Sequence, residues 1–426
     1  MPLTKVLVFP CGSEIGLEIY NSLKYSMHVT LYGASSVASN HGKYVYENYV
    51  EGLPFVDSPN FIERFNEVIG NLTIDLVFPA HDSVLLKLAE EKVRLHAGLI
   101  ASPLETCSAC RSKKATYEKL KGIVPVPVVY DELGAVEGFP LFMKPDVGQG
   151  SKGTHLALSR EEAKFYLCKD PTLLMMEYLP GKEYTVDCFS DKHGTLRFSG
   201  ARERIRIMNG ISVNTKPLVG DRFTQLAELI NASLRFRGAW FFQVKENTRG
   251  ELNLLEIAPR IAGSMGLYRS LGVNFALLSI YDALGLNVDI ITNSYDIEMD
   301  RALTNRYHTD LYYEHVYIDF DDCIIRDGKV NPLIIAFLYQ CIADSIHLHL
   351  ISRHNGELTE TLAHFRLSSL FDSVIHLDAK ALKSSYIKEC NAIFIDDSFS
   401  ERLEVKQALG IPVFAPDALE CLMNCL

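Results

Sequence analysis

Short, β-rich apolar runs alternate with helical stretches at both ends of this chain, and that alternation leaves few folds open. Near the start, Lys5 to Pro10 reads as a strand, Glu14 to Tyr25 as a helix and His28 to Gly33 as the next strand; Ile74 to Pro79 then precedes a helical segment from Ser83 to Leu95. The rhythm returns after residue 313. There Val316 to Phe320, Leu348 to Ser352, Val374 to Leu377, Ala392 to Asp396 and Val413 to Ala415 read as strands, and Ile334 to Ser345 and Leu358 to Phe365 as helices. Strands separated by helices imply parallel, doubly wound sheets. From Cys107 to Arg306 the texture differs: strands carry polar faces, glycine-rich stretches appear, and Ser190 to Gly194 suggests a hairpin. That middle part reads as α+β with antiparallel sheets. With 426 residues there is room for several cores, and the expected division is 1–106, 107–312 and 313–426.

Composition narrows the function classes. Lys plus Arg number 42 against 53 Asp plus Glu, a net −11 that argues against a general nucleic-acid coat. No apolar run approaches the ~18 residues of a membrane span, and the first residues lack a secretory signal pattern. Ten dispersed Cys fit a reducing cytoplasm, so a cytoplasmic protein is expected. Cys107 and Cys110 form a close pair without a second metal-binding pair, and read as buried thiols. His308, His347, His349 and His354 show no metal-binding spacing and read as ordinary strand or loop residues. Gly12 and Gly16 do not make G-x-G-x-x-G, so they read as a tight strand-to-helix turn rather than a dinucleotide site.

The middle segment holds the most informative stretch. An apolar strand from Leu141 places Lys144 near its end, and a loop with Gly148, Gly150, Ser151, Lys152 and Gly153 follows. Backbone amides freed by glycine can wrap phosphate oxygens while lysine supplies charge; no P-loop spacing is present. Leu173 to Glu177 is a strand ending in a carboxylate, followed after a turn by Glu183, which suits base and ribose recognition. Gln243 and Glu256 lie on two further strands, with Arg260 just beyond, and offer the hard oxygen ligands that magnesium takes.

In this order the pieces resemble the ATP-grasp superfamily of carboxylate–amine ligases with a Rossmann-like pre-ATP-grasp domain, over roughly residues 1–306. The resemblance implies phosphate contacts from Lys113 and Lys144, and a mobile phosphate loop at Gly150, Ser151, Lys152 and Gly153. It implies an adenine hinge at Glu177, Tyr178 and Leu179, ribose binding by Glu183, magnesium ligands Gln243 and Glu256, and a catalytic Arg260. Ala258 stands where the family's E-x-N-P-R signature usually has Asn, so Glu256 must hold two ions with help elsewhere or one metal position is weakened. The implied chemistry is acyl-phosphate formation with ATP and Mg2+, followed by attack of an amine. Arg202, Arg204 and Arg206, spaced by two on a strand and so on one face, either read the acid or form an ion-paired sheet surface.

In the last segment Asp319 and Asp321 stand at i and i+2 at a strand end. Phosphoryl transfer through an aspartyl-phosphate needs one carboxylate as nucleophile and another to move protons. Ser352 ends a second strand, Lys383 opens an expected helix, and Asp396 with Asp397 tips a third strand. In a parallel sheet these ends share one edge. The order resembles the haloacid dehalogenase superfamily. That implies Asp319 as nucleophile, Asp321 as acid/base, Ser352 and Lys383 as phosphate-binding groups (Lys380 being a rival), and Asp319, Asp321, Asp396 and Asp397 around magnesium. Thirty-three residues from Asp319 to Ser352 leave no room for an inserted cap domain. The expected protein is thus a bifunctional enzyme: a ligase joining a small carboxylate to an amine or ammonia, fused to a phosphatase acting on a phosphorylated small molecule, and, as family members often are, a homodimer. Two alternatives stand beside it, a kinase-like enzyme forming acyl or carbamoyl phosphate and a non-catalytic nucleotide sensor.

Overall fold

A computed structural model describes residues 3–148, 150–305, 307 and 309–423; the reading of His308 falls outside them. Two compact units emerge, Met1–Leu303 and Thr304–Leu426. The segments expected at 1–106 and 107–312 share the first of them, apart from its last few residues.

The first unit opens with a doubly wound sheet of β1 (Thr4–Phe9), β2 (Val29–Ala34), β3 (Asn48–Val50), β4 (Leu76–Pro79) and β5 (Gly98–Leu99), all parallel in the order β3-β2-β1-β4-β5. Helices α1 (Glu14–Leu23), α2 (Phe61–Leu72) and α3 (Asp82–Glu90) make the crossovers; α3 ends earlier than the sequence suggests. Strand order reverses between β1 and β4, the place where open α/β sheets bind ligands. Helix α1 starts there because Ser13 caps it, its hydroxyl accepting from Gly16 N at 3.0 Å. Gly16 is required by close approach: a Cβ would lie 2.4 Å from the Cys11 carbonyl oxygen.

Helices α4 (Leu104–Arg111) and α5 (Lys113–Leu120) lead into a four-stranded sheet of β6 (Val129–Tyr130), β7 (Leu141–Pro145), β8 (His155–Ala157) and β9 (Leu173–Glu177), ordered β6-β9-β7-β8, with α6 (Arg160–Lys169) alongside. The larger sheet follows: β10 (Glu183–Ser190), β11 (Leu196–Met208), β12 (Ile211–Leu218), β13 (Gly238–Glu246), β14 (Leu252–Ala258) and β15 (Met299–Asp300), ordered β14-β13-β10-β11-β12-β15 and antiparallel throughout. The hairpin expected at 190–194 joins β10 to β11, with Gly194 at positive φ. Helix α7 (Asp221–Ser233) packs on this sheet through Phe223, Ala227 and Ile230 beside Trp240, while α8 (Gly266–Ser270) and α9 (Phe275–Ala283) share a core with α1 and β1.

The second unit is a parallel sheet ordered β20-β19-β16-β21-β22, from β16 (His315–Ile318), β19 (His347–Ser352), β20 (Ser373–His376), β21 (Ala392–Ile395) and β22 (Val413–Phe414). Between β16 and α10 (Pro332–Ala343) stands only a two-stranded hairpin, β17 (Ile325–Arg326) with β18 (Lys329–Val330). Helices α11 (Leu358–His364) and α12 (Phe399–Leu409) complete it. Val316, Ile318, Leu348, Leu350, Ile393 and Ile395 form its main core on one sheet face. Lys383 does not open an α-helix: residues Lys383–Tyr386 form a single 3-10 turn. Among the described residues no helix is long and apolar enough to cross a membrane.

Candidate active sites

In the first unit, a cleft of about 690 Å3 is lined from the β1 and β4 ends, the phosphate-loop segment and the large sheet. A smaller cavity of about 120 Å3 adjoins it and shares Lys113, Ser151, Arg204, Gln243 and Glu256 with it.

Asp146 ties the end of β7 to the start of α5. Its carboxylate accepts from Ser112 Oγ at 2.7 Å and Lys114 N at 2.8 Å, holding the start of α5, and its carbonyl accepts from Lys113 Nζ at 3.0 Å. Lys144, buried on β7, donates to Tyr117 Oη at 3.0 Å and to the Leu255 carbonyl at 3.2 Å. Burial pushes its pKa down to about 8, against the pull of Glu256. Burial lowers Lys113 too. Gln243 and Glu256 are register partners across β13 and β14, which puts two oxygen-bearing side chains abreast. Glu183 lines the same small cavity as Lys144, with Arg204 Nε 3.1 Å from its carboxylate. Gly210, at the β11–β12 turn, faces the loop: a Cβ there would lie 2.5 Å from Gly150 C.

Arg202 is wholly buried, and its Nε and Nη2 donate to the buried Asp187 at 2.7 and 3.2 Å. Its Nη1 has no hydrogen-bond partner, nor have Arg204 Nε (close to Glu183 but misaligned) and Thr185 Oγ1; all three residues line the larger cleft. Buried polar atoms seldom stay unpaired, so these groups are available to a ligand in the cleft. Arg206 departs from the expected shared face. The β11–β12 register skips between Arg204 and Arg206, and this bulge turns Arg206 outward, where it pairs with the equally exposed Asp300 at 2.8 Å.

Arg260, at the end of β14, pairs with Asp82 at the start of α3 through contacts of 2.6 and 2.7 Å. Burial works against both charges, but each offsets it for the other, so Arg260 lies above and Asp82 below its ordinary pKa. Sequence reading missed Asp82, Arg111 and Arg301, all of which line this cleft; the only available signal was the position of Asp82 just past a parallel strand. Glu177, Tyr178 and Leu179 line neither cavity. The Glu177 carboxylate instead accepts from Val128 N at 2.9 Å, and Leu179 is buried. Gly153 sits beside Pro145 with φ +70°, at the base of the loop. The Cys107 and Cys110 thiols are raised strongly by burial, as structural cysteines are.

In the second unit three of the acids expected around magnesium, Asp319, Asp396 and Asp397, converge, while Asp321 lies outside that cluster and pairs with His354. Lys383, 2% exposed, lies 2.8 Å from Asp319 Oδ1 and 2.6 Å from Asp396 Oδ2. Burial tends to lower Lys383, but the two carboxylates outweigh it and raise its pKa. Burial, with Asp319 adding to it, pushes Asp396 up to about 6. Asp319, Asp396 and Asp397 each offer an oxygen within 4.8 Å of the others. Ser352 is buried at the end of β19. Lys380 is exposed, so Lys383 is the lysine at this site. His354 is not an ordinary loop residue: its Nδ1 lies 2.9 Å from Asp321 Oδ2, and its Nε2 3.0 Å from Thr361 Oγ1.

Residues 169–304 match the family model described as ATP-grasp in the biosynthetic pathway with Ter operon. Biotin carboxylase from Campylobacter jejuni, in a β-γ-ATP complex, superposes with TM-score 0.57 at 16% identity, covering 68% of this chain and 74% of that one. The chain contains an ATP-grasp domain. N5-carboxyaminoimidazole synthetase from Staphylococcus aureus, with ADP, gives TM-score 0.56 at 17% identity over 68% and 81% of the two chains. The biotin carboxylase domain of Hydrogenobacter thermophilus 2-oxoglutarate carboxylase, with MgADP and bicarbonate, gives 0.56 at 17% over 68% and 71%. No curated protein sequence matches. The ATP-grasp fold accounts for the two sheets whose residues meet at the smaller cavity.

Proposed function

We propose that the first unit is an ATP-dependent ligase that activates a small carboxylate as an acyl phosphate and passes it to an amine or ammonia. What carries the reading is the unpartnered Arg202 Nη1 and the buried Arg204, whose Nε faces Glu183 without an aligned hydrogen bond, beside a cavity holding Lys113, Lys144, Gln243 and Glu256. In this reading Lys113, Lys144 and the loop of Gly150, Ser151, Lys152 and Gly153 receive the triphosphate, and Glu183 the ribose. The adenine hinge at Glu177, Tyr178 and Leu179 rests on the family resemblance. Arg202 and Arg204 hold the acid so that its oxygen attacks the γ-phosphorus in line, and ADP leaves. The amine then displaces phosphate from the acyl carbon, with Arg260 near the developing charge. Gln243 and Glu256 suit magnesium, which commonly takes one or two protein oxygens and completes its shell with phosphates; bound there it would neutralise phosphate charge. Bicarbonate accompanies one structural relative, but a 690 Å3 cleft is far larger than that ion needs and favours an organic acid.

For the second unit the reading is a magnesium-dependent phosphatase of the haloacid dehalogenase type. Asp319 attacks phosphorus and becomes an aspartyl-phosphate. Asp321 protonates the departing alcohol and later takes a proton from the attacking water, while Ser352 and Lys383 hold the phosphate oxygens. The three-carboxylate cluster of Asp319, Asp396 and Asp397 fits an oxygen-loving ion, which would offset the phosphate's charge. The domain reading follows as 1–106, 107–312 and 313–426.

Ala258 favours a second reading, a nucleotide sensor, because it is buried at the cleft wall and offers no ligand. Incubation with ATP, Mg2+ and pools of acids and amines decides. ADP release requiring both co-substrates supports the ligase, and ADP from acid alone supports an acyl-phosphate kinase. Tight ATP binding without turnover in any pool leaves the sensor. Hydrolysis of an aryl phosphate, abolished by Asp319→Asn, tests the second unit separately.

A further inference from the structure

A second polar cluster in the last unit lies away from the aspartates. His315 opens β16 and His349 sits on the neighbouring β19, with His315 Nδ1 3.0 Å from His349 Nε2. Glu389, from the segment ahead of β21, brings a carboxylate oxygen so that all three ligand atoms lie within 4.8 Å of one another. Four residues at ~3.3 Å each put His315 about 13 Å along the strand from Asp319, so this cluster is not part of the phosphate-handling edge.

Two of the three ligand groups, His349 and Glu389, are held from behind. His349 Nδ1 lies 2.8 Å from Ser373 Oγ on β20; with that hydroxyl accepting, the lone pair of His349 stays on Nε2, which faces His315. The Tyr317 hydroxyl donates to Glu389, and the Tyr317 ring stacks on His349 with centroids 4.4 Å apart. Such outer partners are what fix imidazole and carboxylate ligands for a metal. A His–His hydrogen bond accounts for the nitrogen pair and the Tyr317 hydroxyl for the carboxylate's position, yet together they leave three ligand atoms within 4.8 Å of one another.

We propose that His315, His349 and Glu389 bind a divalent transition metal of the zinc class, tying β16, β19 and the segment ahead of β21 together. Two imidazoles and a carboxylate are a zinc donor set, whereas magnesium and calcium take oxygens. Bonds of ~2.0–2.1 Å in a tetrahedron separate two ligating nitrogens by about 3.3 Å, so the observed 3.0 Å must open only slightly. The fourth position is left to water.

The test uses the full chain, stripped with chelator and then kept in saturating Mg2+ so that the aspartates are occupied. Titration with Zn2+ against a chromophoric chelator should give one tight site per chain, and Co2+ the strong visible bands of a four-coordinate ion. His315→Ala, His349→Ala and Glu389→Gln should each weaken Zn2+ at least tenfold, with Asp319→Asn unchanged. Glu389→Gln alters no strand, so it keeps the test alive should a histidine variant fail to fold. Absence of a zinc site in the native chain overturns the proposal. So does zinc binding indifferent to Glu389→Gln, or binding lost with Asp319→Asn.

Discussion

Lys144 and Lys383 are both buried lysines, yet their surroundings push them in opposite directions. Lys144 has neutral hydrogen-bond partners, so burial dominates and its pKa falls to about 8 from 10.5. Between those values the unfolded chain binds more protons than the folded one, so this group makes stability rise as pH rises through that window. The proposed phosphate contact needs the opposite form, the charged one. Accordingly kcat/KM for ATP should fall roughly tenfold per pH unit above about 8, while Lys144→Arg, which cannot lose its charge there, should flatten the profile. Lys383 instead lies between two carboxylates. Lys383→Met would leave them buried and uncompensated, costing about 3–5 kcal/mol in a denaturant melt and removing the proposed phosphatase turnover. Lys380→Ala, on an exposed residue, should change neither.

At the scale of elements, the bulge in β11 divides the arginines. Arg204→Ala should raise KM for the acid at least tenfold, whereas Arg206→Ala should leave it within twofold, since the Arg206–Asp300 pair is exposed and worth under about 1 kcal/mol. The Asp82–Arg260 pair belongs to a different class, joining the start of α3 to the end of β14 with both side chains mostly covered. Asp82→Ala should cost about 2–3 kcal/mol, somewhat below a fully buried pair, measured by urea unfolding. These cases show what a sequence conveys. Strand ends tipped with Lys144, Asp319 or Asp396 are local patterns, and for the two aspartates parallel topology turns them into a shared edge, so they were legible. A bulge that re-aims Arg206 depends on cross-strand register, and Asp82 meets Arg260 across 178 residues; neither has a local trace. His354 was misread for the same reason, because nothing near it in the chain announces Asp321. The hinge residues Glu177 to Leu179 mark a similar limit: the strand end was visible, but the edge contact with Val128 that occupies the carboxylate was not.

For the whole molecule, two compact units with separate cores need not unfold together. A ligand that binds one native unit stabilises that unit alone, by RT ln(1 + [L]/Kd), about 2.7 kcal/mol at one hundred times Kd. Calorimetry should therefore resolve two transitions. MgADP should move one of them upward by several degrees and leave the other in place, and Glu256→Gln should shrink that shift. A phosphate mimic such as orthovanadate with Mg2+ should move the second transition instead, with Asp319→Asn removing the effect. The two shifts should be additive when both ligands are present, because each reports binding to its own unit. A MgADP shift that survives Glu256→Gln intact would take the nucleotide away from the β13–β14 carboxylate. A vanadate shift insensitive to Asp319→Asn would separate phosphate binding from the acids at the end of β16.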